Sequence, residues 1–329
     1  SPEYVPLAYN PLYYVVTAPI TWVLGPSLLA ARLVAIVGCL VAVWVMWRVT
    51  RDQTDSRWWA LMTVGLFAAA YRIMDAYLDT AHSDSWLIGS ALLGCWVLDR
   101  VRSRAGMIGG RLLLVAAFWF KQHGAWFVIG AVAYLTWRDG WRGAWPAWVV
   151  AVVGGPVTYL ALGPTLFGPW FHHFTWEVPR QWSQLDLDAL RRFLTFIIFA
   201  YPLLVGAALY ALFRGGSGAP RLDIWRAMYP FVLLTGFMGT LDAGSSNNVY
   251  IPLTTWTILL GVLGLATLAR DNGPVRRYGL YLVVLFISFA QLLYLPTRVV
   301  TSREARATYT DFVSFLDELD GPVYAPSLG

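Results

Sequence analysis

The chain has 329 residues, of which 58% are hydrophobic and 13% charged. An ordinary soluble domain carries about 25% charged residues, so there is too little polar surface here to clothe a water-soluble globule. The net charge of +5 could point to a polyanion, but the arginines lie scattered in short connections instead of on one face, which excludes a nucleic-acid partner as the reading of that charge.

In chain order, Ala8 to Val16 reads AYNPLYYVV and leads through Pro19 and Trp22 to a stop at Gly25, with Arg32 following. This predicts a short helix, too short to span, lying in the outer interface either as an aromatic anchor or as the floor of a lipid groove. Crossing the bilayer core takes about 20 apolar residues of helix. Candidate spans follow at roughly 28–48, 57–74, 84–99, 109–120, 124–137, 143–162, 191–213, 226–241, 249–269 and 275–296. The fourth and fifth meet at KQHG, residues 121–124, and could be one broken helix. Arginine placement decides for two. With ten spans and the N-terminus outside, 15 of the 24 basic residues fall in inner connections, whereas fusion inverts that bias. Trp44, Trp47, Trp58, Trp59, Trp137 and Trp141 cluster at segment ends, as interfacial rings do. Cys39 and Cys95 lie inside apolar runs and read as small buried residues.

The outer connections hold the reactive side chains. DAYLDTAHSDSW (residues 75–86) places Asp75, Asp79, His82 and Asp84 where one helix leaves the membrane and the next enters. Asp84 can cap the entering helix. Asp75 and Asp79 share a face if the helix runs that far, and a divalent metal held with His82 is conceivable on weak spacing. Lys121, the single lysine beside 23 arginines, can snorkel or hold a phosphate. The loop from Gly163 to Leu190 contains FHHFTWEVPRQW, in which adjacent His172 and His173 cannot both face one metal and Glu177 can pair with Arg180. DAGSSNNVYIPL (residues 242–253) is a small-polar turn into a helix, with Tyr250 as anchor and Pro252 in the first turn. The glycine-rich run 214–221 reads as an inner linker, and no internal repeat argues for an inverted-repeat transporter.

On these residues the sequence resembles the polyprenyl-phosphosugar-dependent glycosyltransferases of the GT-C fold, among them protein O-mannosyltransferase-like and aminoarabinose-transferase-like proteins. The resemblance is carried by Pro11, Leu12, Tyr13 and Tyr14 in the outer segment, by Asp84 in HSDSW, by Lys121 at the end of a half-span, and by Tyr250 with Pro252 after an outer loop. It implies an all-α polytopic bundle of about ten spans (28–296), preceded by an outer interfacial segment (1–27) and followed by the start of an outer extension (297–329). It implies a multi-pass cell membrane protein with its site facing the outside or periplasm. The reaction implied is transfer of a sugar from a polyprenyl-phosphate donor to a lipid, glycan or protein acceptor. Lys121 would hold the phosphate, with Arg298 as a second candidate, and Asp84 would support the site. Tyr13, Tyr14 and Tyr250 would line the groove, with Asp79 and His82 as substrate contacts. The family's usual catalytic aspartate follows a first span that has no counterpart here. Glu3 is near the right place without matching its motif, so the acid is expected upstream of Ser1, both chain ends reading as truncated. A transporter or lipid flippase, and an O-antigen ligase-like or polymerase-like enzyme, are the rival readings.

Overall fold

The computed structural model describes residues 9–25, 27–101, 103–214, 222–242, 244–271 and 274–318; the linker 214–221, beyond Arg214, and Glu3 lie outside them. The described chain is all helix. Its elements are α1 (Leu12–Leu24), α2 (Leu28–Thr54), α3 (Arg57–Ala69), α4 (Asp84–Arg100), α5 (Arg104–Phe120), α6 (Ala125–Val152), α7 (Gly163–Phe167), α8 (Val178–Trp182), α9 (Leu187–Ala200), α10 (Pro202–Arg214), α11 (Ile224–Thr240), α12 (Ile251–Asp271), α13 (Pro274–Leu292) and α14 (Arg303–Asp317). The chain divides into two units, Ser1–Leu292 and Leu293–Gly329, and α14 belongs to the second.

Helix starts are set by side chains that satisfy free N–H groups. Ser27, Ser56, Ser103, Asp186 and Asp223 accept from Ala30, Trp59, Gly106, Ala189 and Arg226 respectively. α1 stops where Gly25 adopts φ 81°, which closes the short helix where the sequence places its end.

In the first unit α4 packs between α2 and α5, α6 packs on α5 and α11, and α12 packs on α10, α11 and α3. One continuous core runs from Ala42 on α2 to Leu292 on α13, with Trp225 and Trp256 among its largest buried side chains. Large apolar residues also face outward, including Trp137, Trp141, Leu160, Phe213 and Phe286. That apolar exterior suits a lipid solvent, since a water-soluble monomer seldom exposes so much. Leu28–Thr54, Gln122–Phe167 and Asn247–Arg270 are each long and apolar enough to cross a membrane. The 17-residue helices α4, α5 and α11 are each about 25 Å long.

Segments four and five are separate helices. Arg111 and Leu114 of α5 share a small cavity with Val132 and Leu135 of α6, so the two run back to back from the corner at residues 121–124. α6 itself breaks at Gly140 (φ 70°), and Trp148 Nε1 donates to Thr136 Oγ1 at 3.1 Å across twelve residues. A straight helix would hold those two about 18 Å apart. The two legs of α6 are therefore antiparallel.

Two expected elements differ. Residues 191–213 form no single straight helix: α9 and α10 meet at 91°. Tyr201 leaves the helical region (φ −159°, ψ 57°) because it precedes Pro202, whose ring disfavours helical backbone there and which has no N–H to continue the ladder. The stretch 163–190 is not a loop, since α7, α8 and a π-helical turn at His173–Glu177 occupy most of it.

α2 and α4 cross where only glycine fits. A Cβ on Gly89 would lie 2.6 Å from the carbonyl oxygen of Gly38. Gly89→Ala is expected to cost about 1–3 kcal/mol by forcing these helices apart. Thermal unfolding in detergent measures it, and an unchanged midpoint would show that the crossing relaxes freely.

Candidate functional site

One end of the bundle gathers the start of α4, the corner between α5 and α6, the end of α11 and the start of α12. The helix of residues 57–74 ends at Ala69, and Asp75 and Ala76 take left-handed backbone (φ 52° and 59°). Asp75 and Asp79 consequently do not share a helical face. Asp75 Oδ2 accepts from Asn247 N at 2.6 Å, tying this loop to the turn before α12. Asp79 accepts from Arg32 at 2.5 Å and from the Tyr71 hydroxyl. Burial alone would raise the Asp79 carboxyl, but those hydrogen bonds and the Arg32 charge outweigh it and hold the group below the ordinary carboxylate range.

Asp84 is the first residue of α4, yet it does not cap that helix; Ser83 occupies the cap position without a side-chain bond. The Asp84 carboxylate turns inward instead. Its Oδ1 accepts from Lys121 Nζ at 2.8 Å, its Oδ2 accepts from Asn248 Nδ2 at 3.2 Å, and His82 Nδ1 pairs with Oδ2. The helix N-terminus also favours a negative group there. Lys121 is therefore not a snorkelling cation. Its residue is 3% exposed, its Nζ lies 5.0 Å from the centre of the Tyr9 ring, and its backbone N–H closes the end of α5 on Ala117. The buried pair joins four separate stretches of chain around residues 9, 84, 121 and 248. Asn10 Oδ1 and Ser83 Oγ are buried nearby with no hydrogen-bond partner among the described residues, and His82 Nδ1, although close to Asp84 Oδ2, lacks hydrogen-bond geometry to it.

Asp84 and Lys121 themselves face a small cavity of about 10 Å³ with His123 and Pro252, and two larger cavities are lined by Gln122, next to Lys121, and by Asn247, next to the Asp84 partner Asn248. The first, about 1000 Å³, is an almost wholly apolar groove between α5, the two legs of α6 and the π-helical run that follows. Val128, Val132, Ala133 and Val152 line it, and Gln122, Tyr159 and His172 form its polar end next to Lys121. His172 Nε2 contacts the Tyr159 carbonyl at 3.0 Å, and the Gln122 amide donates to the Thr175 carbonyl at 3.0 Å. The second cavity, about 710 Å³, is polar and lined by Arg191, Arg192, Asp188, Asn247 and Tyr250 among others. Its floor is the Tyr250 ring stacked on Phe196, with centroids 3.9 Å apart.

Of the tyrosines expected to line a lipid groove, Tyr13 does not. It is 4% exposed, packs with Val34 and Phe120, and its hydroxyl donates to the Ala31 carbonyl at 2.7 Å. Tyr14 is exposed, and Tyr250 lines the polar cavity. Glu177 pairs with His173 at 2.8 Å, not with Arg180, because one helical turn brings residues four apart together. Arg298 lies in a short turn of the second unit and its side chain is outside those described. No group of three His, Cys, Asp or Glu among the described residues is placed to hold a metal ion.

Sequence reading gives Asn248 only as a possible helix cap and assigns no role to Asn10 or Asp242. Asp242 accepts from Ser183 at 2.7 Å and joins the α8 connection to the end of α11, and burial raises its carboxyl against the opposing pulls of Ser183 and Lys121. Only their position in outer-loop motifs could have marked them.

The opposite end of the bundle is rich in arginine. Arg270 donates to the Thr54 carbonyl at 2.7 Å and Arg100 pairs with Asp52 at 3.5 Å, joining the ends of α2, α4 and α12.

No family model and no curated protein matches the sequence. Among solved structures, the chain is similar in fold to ArnT from Cupriavidus metallidurans, crystallised bound to undecaprenyl phosphate. The likeness covers 86% of this chain and 53% of that one, with a TM-score of 0.56 at 16% identity. The chain thus spans about half the length of that protein. A shared all-α membrane bundle is what the similarity establishes.

Proposed function

We propose that this protein is a membrane glycosyltransferase that moves a sugar from a polyprenyl-phosphate donor to an acceptor, working at the Asp84–Lys121 end of the bundle. The observation that carries the reading is the buried Lys121–Asp84 pair, with Gln122, next to Lys121, lining an apolar groove and Asn247, next to the Asp84 partner Asn248, lining a more polar cavity. A polyprenyl phosphosugar needs both surroundings at once. Its chain fits the apolar groove, and its phosphate would then reach Lys121 beside Gln122. The acceptor would enter from the polar cavity, where Arg191, Arg192 and Asn247 can meet hydroxyls and anionic groups. A cation beside the departing phosphate stabilises the charge that develops as the glycosidic bond breaks.

Orientation follows from charge. The arginine-rich end, with Arg100 and Arg270, faces the cytoplasm by the positive-inside bias, which turns the site outward. Similarity of fold to ArnT, a protein crystallised with undecaprenyl phosphate, supports the choice of donor class. Transport is less well supported, because deep polar side chains satisfy one another: Thr50 with Thr63, Tyr201 with Thr254 and Tyr229 with Thr257.

The test is discharge of radiolabelled undecaprenyl-phosphate sugars by the purified protein in liposomes, followed as release of undecaprenyl phosphate. Ala133→Trp, which fills the apolar groove away from Lys121, is expected to weaken donor binding tenfold or more, roughly 1.4 kcal/mol. Unaltered donor affinity in that variant would remove the groove from the site.

A further inference from the structure

The end of the apolar groove away from Gln122 is crossed by a fixed indole. The two antiparallel legs of α6 line the groove with Ile129, Val132 and Thr136 on one side and Trp148, Val152 and Gly155 on the other, each set at three- and four-residue spacing. From Gln122 through the 3₁₀ turn to Thr136 the wall is roughly 20 Å long by helical rise. At that depth Trp148 Nε1 donates to Thr136 Oγ1 at 3.1 Å, and the Thr136 hydroxyl donates in turn to the Val132 carbonyl at 2.7 Å. The single hydroxyl proton is thereby committed to the helix, and a lone pair is left to receive the indole. The Trp141 ring, with its centroid 5.2 Å from that of Trp148, packs beside it. Trp148 is thus tied across the two legs, whereas the aliphatic side chains above it can adjust to a lipid tail. Both Trp148 and its neighbour Trp137 are also partly exposed on the outer surface of the bundle.

We propose that Trp148, held by Thr136, sets how much of the donor's lipid the protein reads, namely about its first four isoprene units; this rests on the polyprenyl-phosphate reading above. Each isoprene unit adds four carbon–carbon bonds to the chain, about 5 Å when extended, so about four units reach from Gln122 to the indole. Beyond it the rest of an undecaprenyl chain turns out past the exposed tryptophans into the bilayer. Lipid tails are as apolar as the groove, so that part of the chain gains nothing from the protein. The selected substrate class is defined by the phosphate and its first isoprene units, not by total chain length.

The experiment follows discharge of polyprenyl-phosphate sugars with two, four, six and eleven isoprene units by the full chain in liposomes. Wild-type kcat/KM is expected to rise about tenfold from two to four units and by less than about twofold thereafter, the first figure kept low for several missing carbons because lipid tails compete for the space. Trp148→Ala should move the plateau from four to six units. Gly155→Leu should move it down to two, and a Cβ at Gly155 would meet nothing within 4 Å, so that side chain enters the groove without displacing the protein. A kcat/KM that climbs steadily to eleven units overturns the proposal, and so does a four-unit plateau kept by Gly155→Leu. A wild-type protein that discharges no donor of any length fails the polyprenyl-phosphate reading instead. Independently of turnover, a photoreactive diazirine on the fourth unit should label the Thr136–Trp148 end of the groove and one on the ninth should label lipid alone. Labelling of that end from the ninth unit but not from the fourth overturns the assignment.

Discussion

Replacing Lys121 by methionine is expected to destabilise the protein more than replacing Lys121 and Asp84 together. Both side chains are almost fully buried, at 4% and 1% exposure, and they bond at 2.8 Å. Removing one partner of such a pair leaves a charge with no countercharge in a low dielectric, at a cost of about 3–5 kcal/mol, whereas replacing both is often close to neutral. The double variant Lys121→Met with Asp84→Asn should therefore recover much of the lost stability, since the asparagine still accepts from Asn248. Thermal unfolding in detergent over the four corners of the cycle measures the coupling, expected to be about 1–3 kcal/mol. Donor discharge should be absent from all three variants. That split separates two roles one lysine plays: fastening the α5–α6 corner to α4, and offering its remaining N–H groups to a phosphate. A double variant that is both stable and active would strike Lys121 from the phosphate site, and a double variant as unstable as the single would show that the fold needs the charge.

What the sequence made legible here depended on contrast. A lysine and a histidine interrupting an apolar run announce the corner at residues 121–124, and Gly25 ends α1 because its backbone conformation is one other residues resist. Asp84 stood out as an acid at a membrane entry, but its partners did not, since Asn248 lies 164 residues away and no spacing encodes a contact of that range. The capping reading failed for the same reason: a local bond was assumed where distant groups offered better partners. The bend inside 191–213 went unseen because an apolar run hides a Tyr201-Pro202 break when hydropathy alone is followed. The stretch 163–190 misled in the other direction. It reads as an outer loop, yet Pro164 and Pro179 sit in the first turns of α7 and α8, where a missing N–H costs nothing. Tyr13 was placed in a groove by its neighbourhood in sequence, while its hydroxyl and ring are used in holding α1 on α2. The two cavities are invisible to sequence because they exist only where α6 folds back at Gly140 and where α9 bends away from α10.

Gly124→Ala should damage the same site with no change of charge. A Cβ at Gly124 would lie 2.2 Å from the Ala117 carbonyl carbon and 2.3 Å from its oxygen. These are backbone atoms of α5, which cannot swing aside as the end of a flexible side chain can. Relief requires the corner to lift away from α5 by more than an ångström, and the corner is held at both ends: Lys121 N donates to the Ala117 carbonyl at 3.1 Å and Gly124 N to the Lys121 carbonyl at 2.8 Å. Lifting it draws Lys121 Nζ away from Asp84, so the variant pays for overpacking, about 1–3 kcal/mol, and also for a loosened buried ion pair. Because both losses pass through the same contact, Gly124→Ala combined with Lys121→Met should cost clearly less than the sum of the two, as coupled neighbours do. Unfolding midpoints of the two single variants and the double decide this. Simple additivity would mean that the corner moves without disturbing Lys121, and the close approach at Gly124 would then serve only the packing of α5 against α6.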